Sequence, residues 1–539
     1  MRPILTLHDP AEARRHYAAG HWCDETFYDL MAKHEKKRPN ALALRDGRQS
    51  LDWEGLKARV DAMADDLAER GIVAGDRVSL WLSNRVEGVI AFLACSREGI
   101  ACNPSLHRTY TCAEIIDLLT ELGSKALVTE AGWGADRGHC DFDAMLSELP
   151  FLEKVYTPEK MPRHIITVER RVHDNPDSVA YLAFTSGTTG KPKCVMHSCN
   201  TLLANARDLV RDWALDEEAV ILTLSPLSHH IAWVAAAQWL VCGGQLVTDD
   251  APEGMSRFDW VVETGATYVL GVPTHAMDIL AAQKRAGAER IGQVKSFYMA
   301  GSPIPEIVAQ SFLDQGIAPQ NVYGMTECSS HQYTHPGDTL EVMISTCGRG
   351  GEAYDVRIWD PENPDMEVAQ GQSGEIGGRG AAMMLGYFAN QKATEETFNQ
   401  HGYLLSGDLG FFDEHGHLHI DGRIKDLIIR GGHNIYPSRI EALALTHRAV
   451  EKAAAFGVAD DRLGEKVCLA VIGDLSADEM LSHLAREGLS KFDMPEWFLA
   501  VPELPLTASG KILKRALSDM VRRGEIEPAP VRYIEEKVT

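Results

Sequence analysis

The chain has 539 residues, 45% apolar and 24% charged, the composition of soluble globular material and too long for one compact core. Its net charge of −24 argues against a nucleic-acid partner, because a phosphate backbone requires a basic face. A small anionic substrate stays open, since a local site can be basic on an acidic protein.

Taken from the start, Met1–Arg15 is broken by Pro3, His8, Asp9 and Pro10 and lacks the apolar core of a signal peptide. Leu56–Arg70 carries apolar residues at helical spacing and stops at Gly71; Arg77–Leu82 reads as a buried strand and Val86–Glu98 as the next helix. The alternation repeats at Ala113–Leu122 and Ala126–Thr129. Repeated helix–strand units predict a layered α/β fold with mostly parallel sheets. Residues 156–178 are polar, carry three prolines and read as a crossing between subdomains. Ile231–Cys242 is the most apolar stretch, yet it is too short to cross a bilayer and contains Gln238, so no membrane span is expected. From Thr346 to Gly422 short strands separated by Gly and Pro predict a small β-rich subdomain, with Val356–Trp359 and Leu418–Ile420 as examples. A compact α+β tail follows Arg423. The expected division is a large domain 1–424, with subdomains at about 1–170, 171–345 and 346–424, and a small domain 425–539. Eleven cysteines are scattered with no C-x-x-C pair, which reads as reduced thiols in a cytoplasmic protein.

The most informative segment is Tyr181–Lys193. A short apolar strand, Tyr181–Phe184, delivers the backbone into Thr185, Ser186, Gly187, Thr188, Thr189 and Gly190, and Lys191 and Lys193 follow. Glycines let main-chain N–H groups converge on an anion, the hydroxyls donate, and the lysines add charge. That inventory suits a triphosphate. The P-loop of GTPases and kinases needs four residues between its glycines, whereas here two intervene and Pro192 follows the lysine. Cys194–His197 then reads as a second strand, with a helix from about Cys199.

Five further segments follow in order: Ala300–Pro303, Asn321–Glu327, Ser406–Gly410, Gly422–Asn434 and Pro505–Lys511. With the loop, they resemble the acyl-adenylate-forming superfamily of acyl-CoA synthetases, adenylation domains and firefly luciferase. The resemblance implies a carboxylic acid, ATP, magnesium and coenzyme A: the acid attacks the α-phosphorus of ATP, expels pyrophosphate, and is then passed from AMP to a thiol. It places Glu327 as magnesium ligand, Thr326 as donor to the α-phosphate, and Asp408 and Arg423 on the ribose. Asn321, Tyr323, Gly324 and Gly301, Ser302 and Pro303 would frame the nucleotide. Lys511 would reach both the carboxylate and the α-phosphate, stabilising charge on both reacting groups.

In this superfamily the small C-terminal domain rotates between the half-reactions, and its hinge matches Lys425. Rotation would bring Arg430, Gly431, Gly432 and His433 to the site, where two glycines would let a pantetheine arm pass. The acyl pocket would be lined by His229, Trp233, Ala300, Gly301, Gly324 and Met325. Histidine at 229, where amino-acid-activating members carry aspartate, argues against an α-amino acid. Gly324 stands where acetate-specific relatives carry Trp and is expected to leave room. The texture looks most like medium-chain fatty-acid and cyclohexanecarboxylate CoA ligases. An aromatic or other small substituted acid, a carrier-protein thiol as acceptor, and luciferase-like oxidation are the alternatives. Dimers are common in the family, and a homodimer is a candidate assembly. Pro505–Lys511 also resembles the pattern at which bacterial lysine acetyltransferases silence such ligases, so an acetyltransferase acting on Lys511 is a candidate partner. His415, His417 and His419 alternate, and are read as decorating an exposed hairpin rather than as a metal site.

Overall fold

The computed structural model describes residues 4–163, 172–185, 192–506 and 512–533. The chain divides into two compact units. The first comprises Met1–Val356, Gly378–Phe398 and Gly402–Leu404; the second Arg357–Gly377, Asn399–His401 and Leu405–Thr539.

Two sheets organise the first unit. One has eight strands in the order Ser329–Tyr333, Ala318–Met325, Ser296–Ala300, Tyr268–Gly271, Val220–Thr223, Gln245–Thr248, Leu42–Arg45 and Ser50–Asp52. Its inner strands are parallel and each edge pair is antiparallel. The other has six strands, parallel except for the last pair, Val179–Thr185 with Lys193–Ser198. Helices Phe27–Lys37, Trp53–Glu69, Val86–Glu98, Cys199–Asp212 and His230–Cys242 fill the layer between them, and one buried core takes side chains from all five and from both sheets. Separate cores cover the outer face of each sheet. Burying both faces is what lets parallel strands run as near-continuous apolar segments, such as Tyr268–Gly271.

The expected elements appear with shifted ends. The helix read from Leu56 starts at Trp53, because the Asp52 carboxylate accepts from Gly55 N at 2.7 Å and caps it. The helix read from Ala113 starts at Cys112, behind a capping box of Thr111 and Glu114.

The β-rich stretch is a four-stranded sheet in the order Tyr354–Trp359, Gly374–Gly380, Leu404–Phe412 and Leu418–Arg423. The C-terminal part of the second unit is α+β: a mixed six-stranded sheet carries helices Pro437–Leu445, Ala477–Arg486 and Lys514–Arg522, with its own two cores.

Nine cysteines are free, but Cys112 and Cys140 are paired as a disulfide, which corrects the reading of eleven reduced thiols. They stand at the starts of neighbouring helices, Cys112–Leu122 and Phe142–Ser147, across 28 residues, so no local spacing announces them. Among the described residues no helix is long and apolar enough to cross a membrane.

Candidate active site

The phosphate-loop hairpin is fixed at its base. Thr185 and Lys193 are register partners, and the Thr185 hydroxyl donates to the Lys193 carbonyl at 3.3 Å. The Phe184 N–H donates to the buried Ser105 hydroxyl at 2.7 Å. Ser186, Gly187, Thr188, Thr189, Gly190 and Lys191 lie outside the described residues. The Lys193 ammonium sits 4.6 Å from the centroid of the Tyr387 ring.

Thr326 and Glu327 form the turn of an edge hairpin between Ala318–Met325 and Ser329–Tyr333. His197 donates from Nε2 to the Thr326 carbonyl at 2.7 Å, while its Nδ1 faces the Thr201 hydroxyl at 3.0 Å. Burial pushes this imidazole down to about 4, so it is neutral near pH 7. Glu327 is 6% exposed; its Oε1 accepts from the Tyr387 hydroxyl at 2.9 Å and its carbonyl accepts from Met384 N at 2.7 Å. Burial, then the Glu327 charge, raise the Tyr387 hydroxyl well above the ordinary phenol range, so it donates as a neutral group.

Gly324 has a reason of its own. A Cβ there would meet the Ser329 carbonyl oxygen at 1.9 Å, so the hairpin itself demands glycine. The room expected from its missing side chain is therefore taken up by backbone. Asn321 is buried and tied down, with its N–H on the Thr334 hydroxyl at 2.9 Å and its amide on the Thr346 carbonyl at 2.8 Å. Tyr323 is half-buried, with its ring edge-on to His331. Gly301, Ser302 and Pro303 are exposed just beyond the buried strand end at Ala300.

Around the expected acyl pocket, His229 immediately precedes helix His230–Cys242, without a side-chain capping bond, and lies 4.5 Å, centroid to centroid, from His107. His107 faces the Ser228 hydroxyl at 3.0 Å, and burial pushes it down to about 3. Trp233 turns into the helical layer: its ring lies 4.2 Å from Phe92, and its indole N–H donates to the Leu227 carbonyl at 2.6 Å. It helps line a small apolar cavity with Phe27, Phe92, Ala237 and Trp239. Met325 packs with Met384 and Tyr387.

Three bearings of this site were not read from the sequence: His197, Tyr387 and His230. The last has Nδ1 3.2 Å from the Tyr181 hydroxyl and Nε2 3.0 Å from the Ser329 hydroxyl. Its neighbour His229 drew the motif's role, and only the fold reveals that His230 joins two sheets.

In the second unit, Asp408 and Arg423 are register partners on adjacent antiparallel strands, and Asp408 Oδ1 lies 3.0 Å from Arg423 Nε. Gly407 N donates to Glu375 Oε1 at 2.9 Å, shaping the strand entry to Asp408. Lys425 is exposed in the 3-10 turn Ile424–Asp426. Gly431 and Gly432 are the two turn residues of hairpin Ile428–Arg430 and His433–Ile435, with φ of 60° and 85°. Two successive positive φ values define a type I′ turn, which accounts for the glycine pair locally. Arg430 clamps Glu496 through two 2.9 Å bonds, and His433 Nε2 meets Asp493 at 3.0 Å. Lys511 lies outside the described residues; on either side of it Leu506 and Ile512 form a bridge and Leu513 N donates to the Pro505 carbonyl at 2.8 Å.

His417 and His419 each reach Asp413 Oδ2 at 3.2 Å, and of the three expected on an exposed hairpin only His415 is exposed, while His417 is buried. Among the described residues the one gathered set of metal-ligating groups is Cys112, Asp136 and Cys140, which contains the disulfide.

Comparison with known proteins bears on this arrangement. The AMP-binding enzyme family matches residues 31–388, and the AMP-binding enzyme C-terminal domain matches residues 439–511. The chain is 27% identical to the medium-chain fatty-acid–CoA ligase of Escherichia coli (strain K12), over 97% of this chain and 95% of that one. It is 30% identical to a feruloyl-CoA synthase of Amycolatopsis sp, over 88% and 95%. Among solved structures, ATP-bound MatB from Rhodopseudomonas palustris superposes with a TM-score of 0.80 at 26% identity, covering 92% of this chain and 99% of that one.

Proposed function

The chain belongs to the AMP-binding enzyme family and is an AMP-forming acid–CoA ligase, and on that premise we propose that it activates a medium-chain or alicyclic carboxylic acid. A carboxylate oxygen attacks the α-phosphorus of ATP and pyrophosphate leaves with the bridging oxygen. The thiol sulfur of coenzyme A then attacks the acyl carbonyl, loses its proton, and expels AMP.

The observation that carries this reading is the hairpin turn at Thr326 and Glu327. The backbone carbonyls of Thr326 and Glu327 accept from His197 and Met384 N, and the Glu327 carboxylate accepts from the Tyr387 hydroxyl, before any substrate arrives. Preorganised groups cost no reorganisation when charge develops on the α-phosphate. Glu327 fits a magnesium ion, being a buried hard oxygen donor anchored at one oxygen and at its own backbone. When bound, that ion would neutralise phosphate charge. Thr185, Lys193 and the 186–190 loop are assigned to the phosphates, Asp408 and Arg423 to the ribose, and Lys511 to both reacting groups. Residues 425–539 are assigned as the mobile domain, with Lys425 at the hinge and Gly431 and Gly432 beside the pantetheine arm. His229 is assigned to the mouth of the acyl channel. A homodimer, acetylation of Lys511 and a cytoplasmic setting belong to the same proposal; nine free thiols support the last.

The similarity to a feruloyl-CoA synthase supports an aromatic acid as the second reading. A panel of short, medium, alicyclic and aromatic acids, assayed for acid-dependent pyrophosphate exchange and CoA-dependent AMP release, tests both. Medium-chain acids are expected to give the highest kcat/KM. Exchange without CoA-dependent release would point to a carrier protein as acceptor.

A further inference from the structure

Helix His230–Cys242 is apolar along most of its length, yet Gln238 is wholly buried in it. His230, Val234 and Gln238 follow at four-residue steps and so share one face. From His230 to Gln238 that face runs about 12 Å, at 1.5 Å per residue. His230 stands at the C-terminal strand ends, against Ser329.

The facing sheet repeats the same order. Ala300 and Val322 are register partners near the strand ends, and both are apolar. One step deeper, on the same face, Tyr298 and Gln320 are partners. The Tyr268 hydroxyl donates to Gln320 Oε1 at 2.5 Å, and the Tyr298 hydroxyl pairs with Ser330 at 2.5 Å. The Gln238 amide N–H donates to the Tyr268 hydroxyl from the helix side. The layer therefore has an apolar middle and a polar floor.

That floor is not internally satisfied. The amide oxygen of Gln238 and the Nε2 of Gln320 are buried without a hydrogen-bond partner, and both residues are 0% exposed. Buried amides left unpaired are costly, and native interiors rarely keep them without a guest. The open groups are a donor and an acceptor together, which a hydroxyl can meet at once. Among the described residues, burial and neutral neighbours set the state of Tyr268 and Tyr298, with no carboxylate or cation beside either. A charged guest would lack a counter-ion there.

Building on the ligase reading, we infer that the acid carries a neutral hydroxyl at the end remote from its carboxylate, seated between Gln238 and Gln320. Gln238 is then a specificity-determining residue. A site built to bond a hydroxyl rejects the analogue lacking it far more strongly than an apolar pocket separates chain lengths.

The test uses the full-length protein with matched acids: octanoate and ω-hydroxyoctanoate, decanoate and ω-hydroxydecanoate, cinnamate and para-hydroxycinnamate. Wild type is expected to favour the hydroxylated member of at least one pair by about tenfold or more in kcat/KM. Gln238→Met and Gln320→Met, two changes of similar volume, are each expected to collapse that ratio toward one, chiefly through KM for the hydroxylated acid. Because the wild-type ratio needs no variant, a misfolded variant leaves the test intact. Equal use of both members of every pair by wild type would overturn the inference while leaving the ligase reading standing, as would ratios unmoved in folded variants, the result expected if buried water alone fills the floor. Absence of AMP release with any acid would instead sink the ligase reading itself.

Discussion

In the first unit, Thr326 and Glu327 are held from behind by buried groups, His197 and Tyr387, at 2.7 and 2.9 Å. In the second unit, Lys425, Gly431 and Gly432 lie exposed in turns, His433 is exposed at the start of the strand that follows, and the glycines owe their conformation to a two-residue hairpin turn. Burying polar groups is costly unless each finds a partner, so a network like the first is worth keeping where fixed geometry matters. Exposed turns suit residues that must change surroundings. The contrast fits the division proposed above, in which Thr326 and Glu327 meet the phosphates and the magnesium ion while residues 425–539 supply mobile parts.

The largest expected effect breaks the division at its boundary. Lys511→Ala should reduce acid-dependent pyrophosphate exchange about a thousandfold, since it removes a cation from both reacting groups. Next, Lys425→Pro should leave exchange near wild type while CoA thioester formation falls a hundredfold or so, by restricting the hinge. Loss of exchange as well would place Lys425 in the first half-reaction.

Acid should then distinguish the first unit. Burial pushes His107 and His331 down to about 3 and His197 to about 4, whereas an unfolded histidine titrates near 6.5. Below pH 6.5 the unfolded chain takes up protons that the folded unit refuses. Stability is full above that pH and is lost as pH falls toward the folded values. At pH 5.5 each histidine should cost about 1 kcal/mol, above the range where carboxylates titrate. Calorimetry at pH 7 and pH 5.5 should show a lower midpoint in acid; an unchanged midpoint would mean that these imidazoles are not held neutral. The smallest effect sharpens the picture of Glu327. Tyr387→Phe removes one hydrogen bond and should slow exchange about tenfold, while transfer from preformed acyl-adenylate to CoA holds.

Much of this was legible in the chain. Val86–Glu98 and Ala126–Thr129 were placed as they are found, because both are apolar segments buried along nearly their whole length and told apart by length and flanking residues. The order of six motifs pointed to the family whose models match the chain. What escaped were contacts between distant segments. His197 meets Thr326 across 129 residues, Tyr387 meets Glu327 across 60, and His230 meets Ser329 across 99. No local pattern encodes such pairings. Trp233 illustrates the converse. A motif assigned it to the acyl pocket, while packing against Phe92 turned it into the helical layer. Gly324 was read as space, and the Ser329 carbonyl shows it to be a requirement of the hairpin.

The most direct test feeds chemically prepared acyl-adenylate and CoA to Lys511→Ala and follows thioester in a single turnover. Separate machinery for the two half-reactions predicts a transfer rate within about threefold of wild type beside the collapsed exchange. A transfer rate that falls as far as exchange would contradict it.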